Sequence, residues 1–348
     1  MRKVLNLLFI FSLVGCIDTI NIKTSSEKGS VLIDGWITDE AGPYTVKVAK
    51  SIPFDNSQPL KVYTIPISQA RVIILDSLGE TQQLTETVPG TYVTSTLLGK
   101  LGHSYRVTVE TSDGKKYKSE FEKIVPVPAI QKIESQFLIV ESLFINTNGS
   151  SRLKKLESFA ISVITTDPAD EQNFYRWQVD GIFEFFSSYT DPREPDPIPP
   201  RNQCWAPKFR IEPQIRIGSD EYLDGQNFKT LLANVIYDRP TKFLVKVRQQ
   251  SLTKKGHFFL SSISKQQTTT GTLFDPPPSS IKGNLINEND PIENVIGYFG
   301  ASSVSRSQLL IERFKDASFI APSQNIPIKS GDCRFLEPGA TNFKPDGF

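Results

Sequence analysis

Apolar and polar residues alternate along this chain in distinct regimes. The first is an apolar stretch over residues 4–14, interrupted only by Asn6 and Ser12 and preceded by Arg2 and Lys3. It is far short of the roughly 20 residues that a spanning helix needs. A basic start followed by a short apolar centre predicts a secretory signal peptide over residues 1–15. Residues 16–29 are polar and poor in core formers, as in a tether. Period-two segments then follow. Leu32, Asp34 and Trp36 share one face of a strand, and Val31, Ile33 and Ile37 share the other. Tyr44, Val46 and Val48 alternate with Thr45 and Lys47. Segments 71–75, 105–109 and 116–121 continue the pattern, separated by turn-forming clusters at 39–43, 76–79, 89–90 and 112–114.

This rhythm predicts a mainly β protein that begins with an immunoglobulin-like or transthyretin-like β-sandwich over residues 30–125. Gly102-His103-Ser104-Tyr105 resembles the Gly-x-x-Tyr turn that opens a strand in such modules. Val125-Pro126-Val127-Pro128 reads as a stiff extended connector, because proline fixes φ and disfavours helix before it. A larger β-rich domain is expected over 129–348. There Phe159, Ile161 and Val163 alternate, as do Tyr175, Trp177 and Val179, and Phe243, Val245 and Val247. Further strands are expected at 182–186, 209–217, 231–237, 295–299 and 309–314. One short helix is predicted over 257–264, where Phe259 and Ile263 lie four apart; Gly271 and Pro276-Pro277-Pro278 forbid its continuation.

Composition agrees. The chain has 348 residues, enough for two domains, and its 24 prolines and 21 glycines suit short strands with many turns. Formal net charge is +1, and falls to about −1 once Arg2 and Lys3 leave with the signal peptide. That balance argues against a nucleic-acid partner. Beyond residue 16 no apolar run is long enough to span a bilayer.

The three cysteines are Cys16, Cys204 and Cys333. Leu13-Val14-Gly15-Cys16 resembles the bacterial lipobox, in which Cys16 is lipidated and becomes the mature N-terminus. Acyl chains, at about 0.8 kcal/mol per buried methylene, then hold a folded domain on a membrane without a spanning helix. In that oxidising compartment Cys204 and Cys333 are either bridged or two unpaired, buried thiols. A bridge closes a loop worth about 4–5 kcal/mol in the chain-entropy model. Neither cysteine has a second Cys or a His at ligand spacing, so no metal is expected.

Catalytic signatures are missing. His103 and His257 form no His-Glu-x-x-His pair, and there is no Gly-x-Ser-x-Gly elbow, Walker loop or Gly-x-Gly-x-x-Gly. The expectation is a non-enzyme with no cofactor, although carboxylate pairs of the glycosidase kind are spatial and stay open. Residues 189–200 carry five prolines and read as a long surface loop, either a binding element or a plain excursion. Tyr189, Asp191 and the nearby Trp205 are its ligand-binding candidates. Asp191, Glu194 and Asp196 read as a solvated acidic loop more readily than as a calcium site. Trp177 is assigned to the core. Trp205 reads equally as core or as a stacking platform.

Three segments together resemble one family. They are Val31-Leu32-Ile33-Asp34-Gly35-Trp36-Ile37-Thr38-Asp39-Glu40 with Gly42-Pro43-Tyr44; Leu273-Phe274-Asp275-Pro276 through Ile281-Lys282-Gly283-Asn284 to Val295-Ile296-Gly297-Tyr298-Phe299-Gly300-Ala301-Ser302; and Asp332-Cys333-Arg334 with Thr341-Asn342-Phe343-Lys344-Pro345-Asp346. The chain is similar over about residues 16–346 to the Bacteroidota lipoproteins called domain-of-unknown-function family 4249. It departs at the end, where Gly347 separates Pro-Asp from the aromatic Phe348. The resemblance implies an outer-membrane lipoprotein, often encoded beside a TonB-dependent transporter barrel, with no established catalytic residues. By position it also implies pairing of Cys204 with Cys333. Surface-exported relatives often carry an acidic stretch after the cysteine; here Ile17-Asp18-Thr19 has one acid, so the cell-surface and periplasmic faces both stay open. The expectation is therefore a lipid-anchored accessory or binding protein that partners a barrel and takes a peptide or glycan. The alternative is a structural or adhesion lipoprotein with no small ligand.

Overall fold

The computed structural model describes residues 29–52, 64–145, 150–188, 201–208, 211, 215–221, 225–268, 281–317 and 326–348. Cys16, the signal segment, nearly all of the tether and the proline-rich loop with Tyr189 and Asp191 lie outside them.

Strand β1 (Val31–Thr38) follows the alternation of its sequence: Val31, Ile33 and Ile37 are buried, Leu32 and Trp36 half-buried and Asp34 exposed. It pairs antiparallel with β2 (Thr45–Ser51), which also carries β3 (Thr64–Pro66) and β7 (Thr91–Val93), with β6 (Thr85–Val88) beyond. The facing sheet is built from β4 (Arg71–Asp76), β5 (Thr81–Gln83), β8 (Ser104–Glu110), β9 (Lys116–Ser119) and β10 (Glu122–Lys123). Ile33, Val46, Val72, Tyr92, Val107 and Tyr117 fill the space between the two sheets. The turn into β8 forms as expected: Gly102 adopts a φ of 84° and the Tyr105 hydroxyl accepts a bond from Lys100 N at 2.9 Å.

This sandwich reaches beyond residues 30–125. β18 (Leu285–Asn287) pairs antiparallel with β9, while β19 (Val295–Ile296) and β20 (Phe299–Ser302) both run parallel to β1. The strand expected at 295–299 is broken between them at Gly297, whose φ is 108°. A Cβ there would lie 2.0 Å from Ile33 O, so the parallel pairing closes only around glycine. Chain order therefore does not partition the molecule; the outer edge of β1 is satisfied from late in the sequence.

The second sandwich packs a three-stranded sheet, β11 (Ile130–Ile145), β12 (Ser151–Thr166) and β16 (Asn227–Ile236), on a six-stranded one. The larger sheet centres on β13 (Phe174–Ser188) and β17 (Lys242–Leu252), with β14 (Arg201–Lys208), β15 (Arg216–Ser219), β21 (Val304–Glu312) and β22 (Ile328–Ser330). All three alternating triplets read from the sequence are buried in this core. Segments 175–179 and 182–186 are one strand rather than two. Among the described residues of 209–217, only Arg216 and Ile217 are in a strand. The strand expected at 309–314 starts earlier, at Val304, and gives way to the one-turn helix α2 (Arg313–Asp316). β11 carries no clean alternation, so its sequence does not announce a strand.

The predicted helix exists and is longer. It is α1 (Lys254–Thr268), with Thr253 Oγ1 accepting from Gly256 N at 3.1 Å at its start. A second one-turn helix, α3 (Cys333–Leu336), follows β22. Phe259 and Leu260 of α1 pack with Phe174, Leu252 and Tyr298, and with the half-buried Trp36, where the two sandwiches meet. Polar bonds complete the joint. Asp39 accepts from Ser303 Oγ at 2.7 Å and from Val304 N at 2.9 Å. Ser251 Oγ and Gln249 Nε2 donate to Val125 O (2.6 Å) and Pro128 O (2.9 Å), pinning both ends of the proline connector.

Candidate functional site

Strand alternation puts apolar residues inward, so each sheet turns its other face outward. Two such outer faces meet at the joint and enclose a cleft of about 880 Å³. β1 contributes Asp34 and Trp36, and β2 contributes Lys47. From the other sandwich come Arg176 and Gln178 of β13, Arg248 and Gln250 of β17, Arg216 of β15 and Arg306 of β21.

Register explains how these cations are held. Gln178 lies opposite Arg248, and Arg248 lies opposite Arg306. Like charges directly across a strand pair are destabilising. Glu40, at the end of the facing sandwich, resolves the conflict. Its carboxylate accepts from Arg306 Nη2 at 2.7 Å and pairs with Arg248 Nη2 at 3.1 Å. The Arg306 hydrogen bond, helped by Arg248, holds the Glu40 carboxyl below its ordinary range. Asp34 moves the other way. It is open to the cleft yet crowded by its walls, and desolvation pushes its carboxyl up against the pull of Arg176 and Lys47.

The floor is an aromatic column. Phe259 stacks on Tyr298 with centroids 4.8 Å apart, Tyr298 stacks on Trp36 at 6.0 Å, and the Arg176 guanidinium sits 5.6 Å above the Trp36 ring. The indole is fixed by donation from Trp36 Nε1 to Ser302 Oγ at 3.0 Å. Gly300 lies beneath it, where a Cβ would come within 2.4 Å of the ring. Tyr298 donates from its hydroxyl to Glu122 at 2.6 Å. Glu122 is itself only 2% exposed and also accepts from Thr253 Oγ1 at 2.6 Å. Burial raises the Glu122 carboxyl above its ordinary value.

The sequence candidates lie elsewhere. Cys204 and Cys333 form a disulfide with a Cα separation of 5.8 Å, packed against Phe185 and Ala206. Trp205 is not a stacking platform. It is 4% exposed, because residues from Thr341 onward fold over it: Trp205 and Thr341 exchange backbone bonds at 2.9 Å and the Phe348 ring packs edge-on at 6.1 Å. Trp177 is core, and donates from Nε1 to Gln249 Oε1 at 2.7 Å. Tyr189, Asp191, Glu194 and Asp196 lie outside the described residues.

Among the described residues one buried carboxylate pair occurs, Asp167 with Asp220, 2% and 3% exposed. Tyr175 donates to Asp167 at 2.5 Å and Asn173 N donates to Asp220 at 2.7 Å, so the pair ties loop ends together. Burial, joined by the Asp220 charge, raises the Asp167 carboxyl against that tyrosine bond. Among the described residues no group of three or more His, Cys, Asp or Glu side chains is placed to hold a metal ion, and no helix is long and apolar enough to cross a membrane.

Arg176, Arg248 and Arg306 were missed as a set. Their signal was present only as the positions between core residues, such as Arg176 between Tyr175 and Trp177. Residues 17–308 match the sequence model of the family described as "Domain of unknown function (DUF4249)". No curated protein matches the chain.

Proposed function

The chain belongs to the DUF4249 family, and from that premise we propose a lipid-anchored outer-membrane protein that captures a ligand in its interdomain cleft and works with a TonB-dependent transporter barrel. The observation that carries this reading is the cleft itself: about 880 Å³, formed between two sandwiches, with several cations above an ordered aromatic floor. Sites at domain junctions with a few convergent polar groups are where small ligands bind. The resemblance of Leu13-Val14-Gly15-Cys16 to a lipobox supports the anchor. Neither histidine lines that cleft: His103 is bonded to Asp76 in a turn and His257 packs on Phe174.

A thermal-shift screen against short peptides and oligosaccharides tests the cleft. Reproducible stabilisation that disappears in Trp36→Ala is expected; no shift with any member sinks the capture role. Affinity purification of tagged protein from outer membranes tests the partnership, with a TonB-dependent barrel expected in the eluate and its absence ending that part of the proposal. Palmitate labelling abolished by Cys16→Ser tests the anchor.

One observation favours the structural alternative. The β11–β12 ribbon runs past β16 and exposes Ile139, Leu143 and Leu153 on its core-side face. Monomeric proteins seldom leave such a strip open. Copurification that depends on this ribbon but not on Trp36 would shift weight to that role.

A further inference from the structure

The cleft has a charge excess that the rest of the molecule lacks. The whole chain is balanced, with 39 basic and 38 acidic side chains. The cleft is lined by Lys47, Arg176, Arg216, Arg248 and Arg306 against Asp34 and Glu40. Asp180, which acts electrostatically on Arg248 and Arg306, adds one more anion at the rim and leaves the sum positive.

Two further observations give that excess a direction. Among the described residues, Arg248 Nε is buried with no hydrogen-bond partner, although the same guanidinium pairs with Glu40 through Nη2. A buried donor without an acceptor costs stability until something supplies one. The cleft walls also desolvate Arg248, which pushes its guanidinium down. Arg176, meanwhile, is held over the Trp36 ring at the top of the aromatic column. A guanidinium fixed in this way loses little freedom when it grips a ligand.

Resting on the cleft-capture reading above, we infer that the ligand presents a carboxylate, which Arg176 and Arg248 grip from the floor and wall of the cleft. A planar guanidinium fork matches a carboxylate two bonds at a time. Both expected ligand types offer that group, as a uronic-acid unit of a glycan or as the free C-terminus of a peptide.

Calorimetric titration of the purified protein distinguishes the sources. The probes are trigalacturonate against neutral maltotriose, and the tripeptide Ala-Ala-Phe as free acid against its C-terminal amide. At least one acid is expected to bind about tenfold or more tighter than its neutral counterpart, and that pair identifies the source. Raising the salt should weaken the acid and leave the neutral probe unchanged. Arg176→Gln should cost about tenfold or more, with Arg176→Lys in between, because charge returns without the fork. If Arg176→Gln melts early, the Lys variant and the salt series decide. Maltotriose binding as tightly as trigalacturonate, lost in Trp36→Ala but kept in Arg176→Gln, would overturn the carboxylate and leave cleft capture standing. Failure of both acids to bind the wild-type protein also overturns it, and cleft capture is then judged by the wider screen.

Discussion

Replacing Cys333 by serine removes a cross-link whose worth follows from the fold. The disulfide closes a loop of 129 residues. In the chain-entropy model such a loop is worth about 5 kcal/mol. The native side adds little, since Cys204 and Cys333 both lie beside the Ser187 hydroxyl, which offers a partner to a serine. A net loss of about 5 kcal/mol is thus expected, a large share of an ordinary domain's stability. The closed loop also contains β18, β19 and β20, which belong to the first sandwich. Both sandwiches should therefore lose stability together. Urea unfolding followed by tryptophan fluorescence reads this directly, because Trp36 reports the joint while Trp177 and Trp205 report the second sandwich. One transition, shifted as a whole, is expected for Cys333→Ser, for the Cys204→Ser/Cys333→Ser double variant and for wild-type protein in reductant. A loss under about 1 kcal/mol, or a shift confined to the second sandwich, refutes the reasoning.

Gly300→Ala drives a methyl group into the Trp36 ring and should cost about 1–3 kcal/mol as overpacking, read as a lower melting temperature together with altered Trp36 emission. The raised carboxyl of Glu122 has the opposite sign from an ordinary surface acid. Above its unfolded value of 4.5 and up to its folded value the native state holds the extra proton, so stability falls as pH rises through that window. Glu122→Gln should abolish that slope in denaturation measured from pH 4 to 8; parallel curves for the two proteins would contradict the assignment. Glu40 is depressed by Arg306, so its contribution is full above 4.5 and fades as pH drops below it; Glu40→Gln should blunt the acid limb of the same profile. Arg313 is 2% exposed and donates to Thr241 O at 2.7 Å and to Asp238 at 2.8 Å. Arg313→Ala leaves the buried Thr241 acceptors without their donor, while Asp238 stays solvated and bonded to Arg239, and should cost about 1–3 kcal/mol by equilibrium unfolding.

The strands that were legible are those with one buried face. Val31, Ile33 and Ile37, or Phe243, Val245 and Val247, declare their inner side by alternation alone. β19 and β20 could not be read as partners of β1, because parallel pairing over such a separation leaves no local trace and each strand is very short. The proline connector is a segment without strand, and strands from residues 285–302 join the sandwich on its other side. The cleft was half legible. Alternation puts Asp34 and Trp36 on one face, but nothing local shows that this face meets the polar side of β13 and β17. Trp205 reads equally as core or platform from sequence for a related reason: its cover, Phe348, is far away along the chain.

The route of the chain also bears on how the protein is made. Until residues 295–302 emerge, the outer edge of β1 stands unpaired, an open template for any other strand nearby. A fragment cut at residue 125 would keep that edge bare for good and should clump rather than fold. A self-sufficient first sandwich therefore needs residues 295–302, and its assembly waits until they are made.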